Sequence, residues 1–76
     1  MNLASLLSSI VWEEKHKKDF EIIIINEEQL PEKIDPESII RIENNAIYVE
    51  TEHNVRLIPF HRVKYIMHKD KEIWRR

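Results

Sequence analysis

Ile58-Pro59-Phe60-His61-Arg62-Val63 is the segment of this 76-residue chain that offers the most chemistry. Pro59 fixes the backbone directly ahead of an imidazole, which can donate or accept a proton, and of a planar guanidinium, which stays charged and grips phosphate through two parallel hydrogen bonds. That pair suits a phosphate. A plainer reading stands beside it: on a strand, His61 and Arg62 point to opposite faces, one against the protein and one into water. The local pattern leaves both open. Charge bears on the choice without deciding it. The formal net charge is −2, yet residues 56–76 hold seven Lys and Arg against two Asp and Glu, whereas residues 1–38 hold four against nine. A basic segment is the electrostatic footprint of a phosphate-binding face, and a solvated strand face looks the same. Trp12 and Trp74 also have two readings, as core fillers or as platforms on which a nucleobase stacks.

Other chemistries find less support. The four histidines, His16, His53, His61 and His68, lie in separate segments and no two share a ligand spacing, so no metal site is expected. Ser5, Ser8 and Ser9 fall on one helix face and Ser38 in a turn, none in the setting of a nucleophile elbow. Glu13-Glu14 and Glu27-Glu28 are sequence neighbours that diverge on extended chain and make no acid/base pair. The chain has no cysteine, hence no disulfide, thiolate metal site or redox pair, in keeping with a reducing, cytoplasmic setting. It has no glycine either, where average usage of about 7 % would give roughly five. That excludes a P-loop, a dinucleotide fingerprint and the glycine clamp of a KH domain, all of which bring backbone up to phosphate. Any grip on phosphate must come from side chains, and no cofactor is expected.

These residues need elements to position them. Leu3, Leu6, Leu7, Ile10 and Val11 recur at helical spacing behind the potential cap Asn2, predicting one amphipathic helix over residues 2–12. Thirteen isoleucines and four valines bias the remainder towards strands. Residues 20–26, with four isoleucines in a row, read as a central strand apolar on both faces. Residues 27–38, with Pro31, Pro36 and five acidic side chains, read as a surface loop containing an Asp35-Pro36-Glu37-Ser38 turn. Asn44-Asn45 between two alternating runs predicts a type I′ hairpin joining strands 39–43 and 46–50, with Ile42 facing Ile47, Ile40 facing Val49, and Arg41 paired with Tyr48 on the other face. A strand at 55–58 stops at Pro59, and a last hairpin pairs residues 61–68 with 72–75 across Lys69-Asp70-Lys71. The expectation is a single α+β domain, one N-terminal helix packed on a bent, mainly antiparallel sheet of five or six strands. The longest apolar run, residues 22–25, is far too short to span a bilayer, so no membrane partner is expected.

The combination of Ile58-Pro59-Phe60-His61-Arg62-Val63 with the C-terminal Ile73-Trp74-Arg75-Arg76 resembles the RNA cyclic-group-end-recognition family, small archaeal proteins with eukaryotic relatives fused to phosphoesterase-type and other RNA-processing domains. Ile10-Val11-Trp12-Glu13 is similar to the family's Ile-x-Trp-acidic element after the first helix, and Asp19-Phe20-Glu21-Ile22 to the start of its first strand. The likeness runs in order over residues 3–76. It implies binding of RNA 3′ ends, in particular those carrying a 2′,3′-cyclic phosphate. Carried over by position, His61 and Arg62 would contact the terminal phosphate, Arg75 or Arg76 would match the family's arginine after tryptophan, and Trp12 and Trp74 would flank the site or fill the core beneath it. Tyr65, Trp12 or Trp74 would offer a surface to the terminal base. The chain departs from the family pattern at the end of the first strand, where a basic residue is usual and Asn26-Glu27-Glu28 stands here.

The function expected is therefore a non-catalytic RNA-binding module that reads RNA ends through cations of the C-terminal hairpin. Two alternatives stand beside it. One is an RNA end-processing phosphoesterase using His61, which would lack the second histidine of a two-histidine hydrolase. The other is a protein-interaction module within an RNA-processing complex.

Overall fold

The computed structural model describes residues 2–76. Asn2 caps the first helix as its position suggests, its side-chain oxygen accepting a hydrogen bond from the Ser5 amide at 2.8 Å. The helix, α1 (Leu3–Trp12), buries Leu3, Leu7, Ile10 and Val11 and packs against β3 (Ile39–Glu43) and a 3₁₀ turn at Pro36–Ser38. That turn is built as its sequence demands: Asp35 accepts from the Glu37 amide, and Pro36 occupies the first helical position, where its missing N–H costs nothing.

Among the described residues, seven strands form two antiparallel sheets. The first runs in the order β2 (Pro31–Ile34), β1 (Phe20–Ile25), β6 (Val63–His68), β7 (Lys71–Arg75), and the second in the order β3, β4 (Ala46–Glu50), β5 (Val55–Pro59). The expected single sheet of five or six strands is corrected in both count and partition. The additional strand is β2, which lies inside the stretch read as a loop. It opens on proline, carries Glu32 and Lys33, and buries only Ile34, so it is an edge strand with one apolar contact and no legible alternation. The partition into two sheets follows from β1 pairing with β6, a contact across most of the chain that no local pattern encodes.

β1 is the central strand that its isoleucine run implies. Ile22 and Ile24 point into the main core and Ile23 is buried on the opposite face. The core cluster joins side chains of α1 with Phe20, Ile22, Ile24, Ile34, Ile39, Ile47, Val49, Ile58, Val63 and Ile66, drawn from both sheets. Each fully buried aliphatic side chain contributes about 1.5–3 kcal/mol of transfer free energy. No polar or charged side chain is buried among the described residues.

The Asn44-Asn45 hairpin forms as a type I′ turn, with φ of 55° and 60° at the two asparagines, and it pairs Ile42 with Ile47 and Arg41 with Tyr48. The expected Ile40–Val49 pair does not form. A bulge shifts the register, Ile39 pairs with Val49 at 4 % exposure, and Ile40 is left 46 % exposed. The outer edges of the two sheets are tied by Arg56 on β5, whose guanidinium donates to both carboxylate oxygens of Glu32 on β2 at 2.6 and 3.0 Å.

Candidate RNA-end interface

Residues 61 and 62 are not strand residues, which corrects the expected strand over 61–68. Pro59 ends β5 at φ −62°, and Phe60–Arg62 form a 3₁₀ turn before β6 starts at Val63. The consequence for the site is direct. On a strand His61 and Arg62 would diverge, whereas on the turn both line one cleft.

That cleft, about 210 Å³, is walled by Ile25, His61, Arg62, Val63, Lys64, Arg75 and Arg76. Among the described residues, five basic side chains and no acidic one line it. A second shallow depression, lined by Ile25, Gln29, His61 and Arg62, continues from it, so Arg62 and His61 stand where the two meet. Apart from Arg75, which is paired with Glu72 beside the wall, these cations have no acidic partner in it; they attract an anion and suit phosphate above all, because a guanidinium matches phosphate geometry.

The turn carrying His61 and Arg62 is held from three sides. The Phe60 amide donates to the Asn45 carbonyl at 2.8 Å, which fastens the turn to the asparagine hairpin. The Arg62 Nη1 donates to the Ile25 carbonyl at 3.3 Å, and its other donors make no hydrogen bond among the described residues. Arg76 makes the third attachment: its Nη2 donates to the Phe60 carbonyl at 2.6 Å, its Nε to the Val63 carbonyl at 3.0 Å, and its amide to the Lys64 carbonyl at 3.0 Å. Arg76 is thus largely spent on the backbone that carries the site.

Lys64 was not singled out from the sequence. The register between β1 and β6 passes from Ile23–Tyr65 to Ile24–Val63, leaving Lys64 as the extra residue of a bulge, exposed in the cleft wall. Bulges commonly re-aim a side chain beside a site. No sequence signal marks the bulge, although a lysine two positions after Arg62 in a basic segment was a visible hint.

Arg75 has a different environment. Glu72 takes its Nε at 2.9 and 3.0 Å and its Nη2 at 2.6 Å, and the guanidinium lies over the Tyr65 ring with 4.9 Å to the centroid. The hydrogen bonds from Arg75 hold the Glu72 carboxyl below its ordinary value, and the same bonds raise Arg75.

The aromatic residues divide. Tyr65 lies beneath Arg75 and is not itself part of the cleft wall. Trp74 is half-buried against the core with the Arg76 guanidinium 5.5 Å from its ring, so it supports the cleft from below. Trp12 is 57 % exposed at the end of α1 and does not line the cleft. The acidic departure at Glu27 and Glu28 is also turned away from the cleft wall. Asn26 organises that turn by accepting from the Glu28 and Leu30 amides, and Glu27 lies 3.8 Å from Arg56 instead. Of the four histidines, His61 alone lines the cleft among the described residues; His68 stacks on Phe20 with 4.3 Å between ring centroids.

A family model described as the MJ1316 RNA cyclic group end recognition domain matches residues 1–76, the whole chain. The chain belongs to this family. No curated protein and no solved structure matches it. The family's description, recognition of a cyclic group at an RNA end, is consistent with an RNA-end-binding module, and the family match takes in both halves of the basic cleft, the 60–62 turn and the C-terminal strand.

Proposed function

We propose that this protein is a non-catalytic reader of RNA 3′ ends and that it holds a terminal 2′,3′-cyclic phosphate in the basic cleft between the Phe60–Arg62 turn and β7. The observation that carries this reading is the composition of the cleft wall, with His61, Arg62, Lys64, Arg75 and Arg76 and no acidic side chain among the described residues. A cyclic phosphodiester bears one negative charge on two free oxygens. Arg62 has unspent donors for a bidentate grip, Lys64 supplies a second charge, and His61 at the mouth can donate to a bridging or free oxygen. With no glycine-rich loop in the chain, the cations of the cleft wall are the groups that supply this grip.

The test is a titration of one RNA sequence prepared with a cyclic phosphate, an open 3′-phosphate or a hydroxyl end, at physiological salt. The cyclic end is expected to bind tightest and to be recovered unopened. Equal affinities would remove the end-recognition claim, and conversion to the opened phosphate would replace a reader by a phosphoesterase using His61. RNA binding that vanishes at physiological salt would leave the protein-interaction reading.

A further inference from the structure

Arg75 lines the basic cleft, yet its chemistry differs from that of Arg62. Its Nε and Nη2 are taken by the Glu72 carboxylate through three contacts of 2.6 to 3.0 Å, so much of the fork that would clasp a phosphate is already occupied by an internal anion. A carboxylate in that place also repels a second anion brought to the same fork. What Glu72 leaves available is the plane. The guanidinium carbon lies over the Tyr65 ring, 4.9 Å from its centroid, and the side chain is 53 % exposed, so solvent reaches the guanidinium on the side away from the ring.

The backbone fixes this arrangement. Tyr65 and Arg75 are direct partners across β6 and β7, and Tyr65 in turn pairs with Ile23, which pairs with Lys33. One row thus crosses all four strands on the outer face of the sheet, and Ile23, 8 % exposed, forms its apolar floor beside Tyr65. A flat cation held in orientation by a carboxylate, backed by an aromatic ring and adjoining the phosphate cleft, is a ready surface for a purine or pyrimidine ring.

We infer that the Arg75 guanidinium, backed by Tyr65 and oriented by Glu72, is the stacking shelf for the terminal nucleobase, while Arg62 and Lys64 hold the phosphate. Arg75 contacts the base through its plane, and Glu72 acts as a positioning residue. Because every base has a π-face, this shelf makes recognition tolerant of the identity of the last nucleotide. The inference rests on the RNA-end reading given above.

The test uses two short single-stranded RNAs that both end in cyclic phosphate, one with an ordinary terminal nucleotide and one whose terminal ribose carries hydrogen in place of the base. Wild-type protein should bind the base-less RNA about 5- to 150-fold more weakly, the range that stacking of one base supplies. Arg75→Lys keeps the charge and discards the plane, so it should bind the two RNAs within about twofold of one another, whatever its overall affinity. Wild-type indifference to the missing base would overturn the inference, as would an Arg75→Lys variant that retains the full dependence on it. Wild-type base dependence that collapses in Arg75→Lys, without any preference for the cyclic end, would support the shelf and overturn the end-recognition reading. Absence of RNA binding altogether would overturn both.

Discussion

The Arg76 guanidinium donates to the Phe60 carbonyl at 2.6 Å, joining the last residue of the chain to the first residue of the turn that presents His61 and Arg62. Together with its bond to the Val63 carbonyl, this makes Arg76 a brace for the site. Arg76→Ala should therefore cost about 1 kcal/mol of folding stability, the typical net contribution of a hydrogen bond, and weaken RNA binding several-fold. Arg76→Lys should not restore it, because an ammonium lacks the planar fork that reaches two carbonyls at once. Urea denaturation paired with an RNA titration checks both effects.

Arg62 behaves differently because only its Nη1 is tied to protein, at 3.3 Å from the Ile25 carbonyl. Arg62→Ala is expected to leave stability within about 0.5 kcal/mol of wild type, as for most surface substitutions. Binding should weaken, and the slope of log K against log salt should become shallower by about 0.7, the value for one phosphate contact on a single strand. The slope lost in Arg76→Ala should be smaller. Affinities measured from low to physiological salt for the three proteins decide the point.

Where local chemistry and hydrophobic pattern agreed, the fold was legible. Asn44 and Asn45 tolerate the left-handed φ that a type I′ turn imposes, and the alternation on either side points Ile42 and Ile47 inward, so turn and register reinforce each other. Ile39-Ile40 shows where that stops. Both are isoleucine, so alternation cannot tell which faces the core, and the bulge between Ile39 and Arg41 that leaves Ile40 exposed has no sequence mark. β2 escaped for the opposite reason, having too little apolar content to announce a strand. The site was legible in its residue types and not in its geometry. His61 and Arg62 stood out by chemistry, but their shared orientation depends on a 3₁₀ turn held by Asn45 and Arg76, distant in sequence, and Lys64 enters the cleft through a bulge that only the β1–β6 pairing creates.

The Arg56–Glu32 pair, which ties one sheet edge to the other, makes stability sensitive to acid. Hydrogen bonds from Arg56 are the main cause holding Glu32 below the ordinary value of 4.5, with Asn26 adding to them against a smaller effect of burial. The unfolded chain then binds its proton at higher pH than the folded one, so the stability from this group is present above about pH 4.5 and is lost as pH falls through the lower folded value. Glu32→Gln should cost about 1–2 kcal/mol at neutral pH and flatten this part of the acid limb. Denaturation curves from pH 7 downward should show the two proteins converging as acid is added.

Lys69 sits at φ 57° in the last hairpin, where a side chain with a Cβ pays about 1–2 kcal/mol. The chain uses no glycine even here. Lys69→Gly should raise stability by about 0.5–1 kcal/mol after the extra flexibility of glycine in the unfolded state is counted, a rise of roughly 2–8 °C in Tm. Thermal melts of the two proteins test this, and RNA affinity should barely change because Lys69 does not line the cleft.

The central claim is that one cleft reads the chemistry of the RNA end, and side-chain-resolved NMR tests it most directly. Spectra would be recorded with saturating RNA of a single sequence ending in cyclic phosphate and again with its hydroxyl-ended counterpart, so that their difference isolates the end group. The difference should concentrate on His61, Arg62 and Lys64 and fade beyond the cleft. A difference that is absent, or that centres on the separate basic stretch at Lys15, Lys17 and Lys18, would contradict the account.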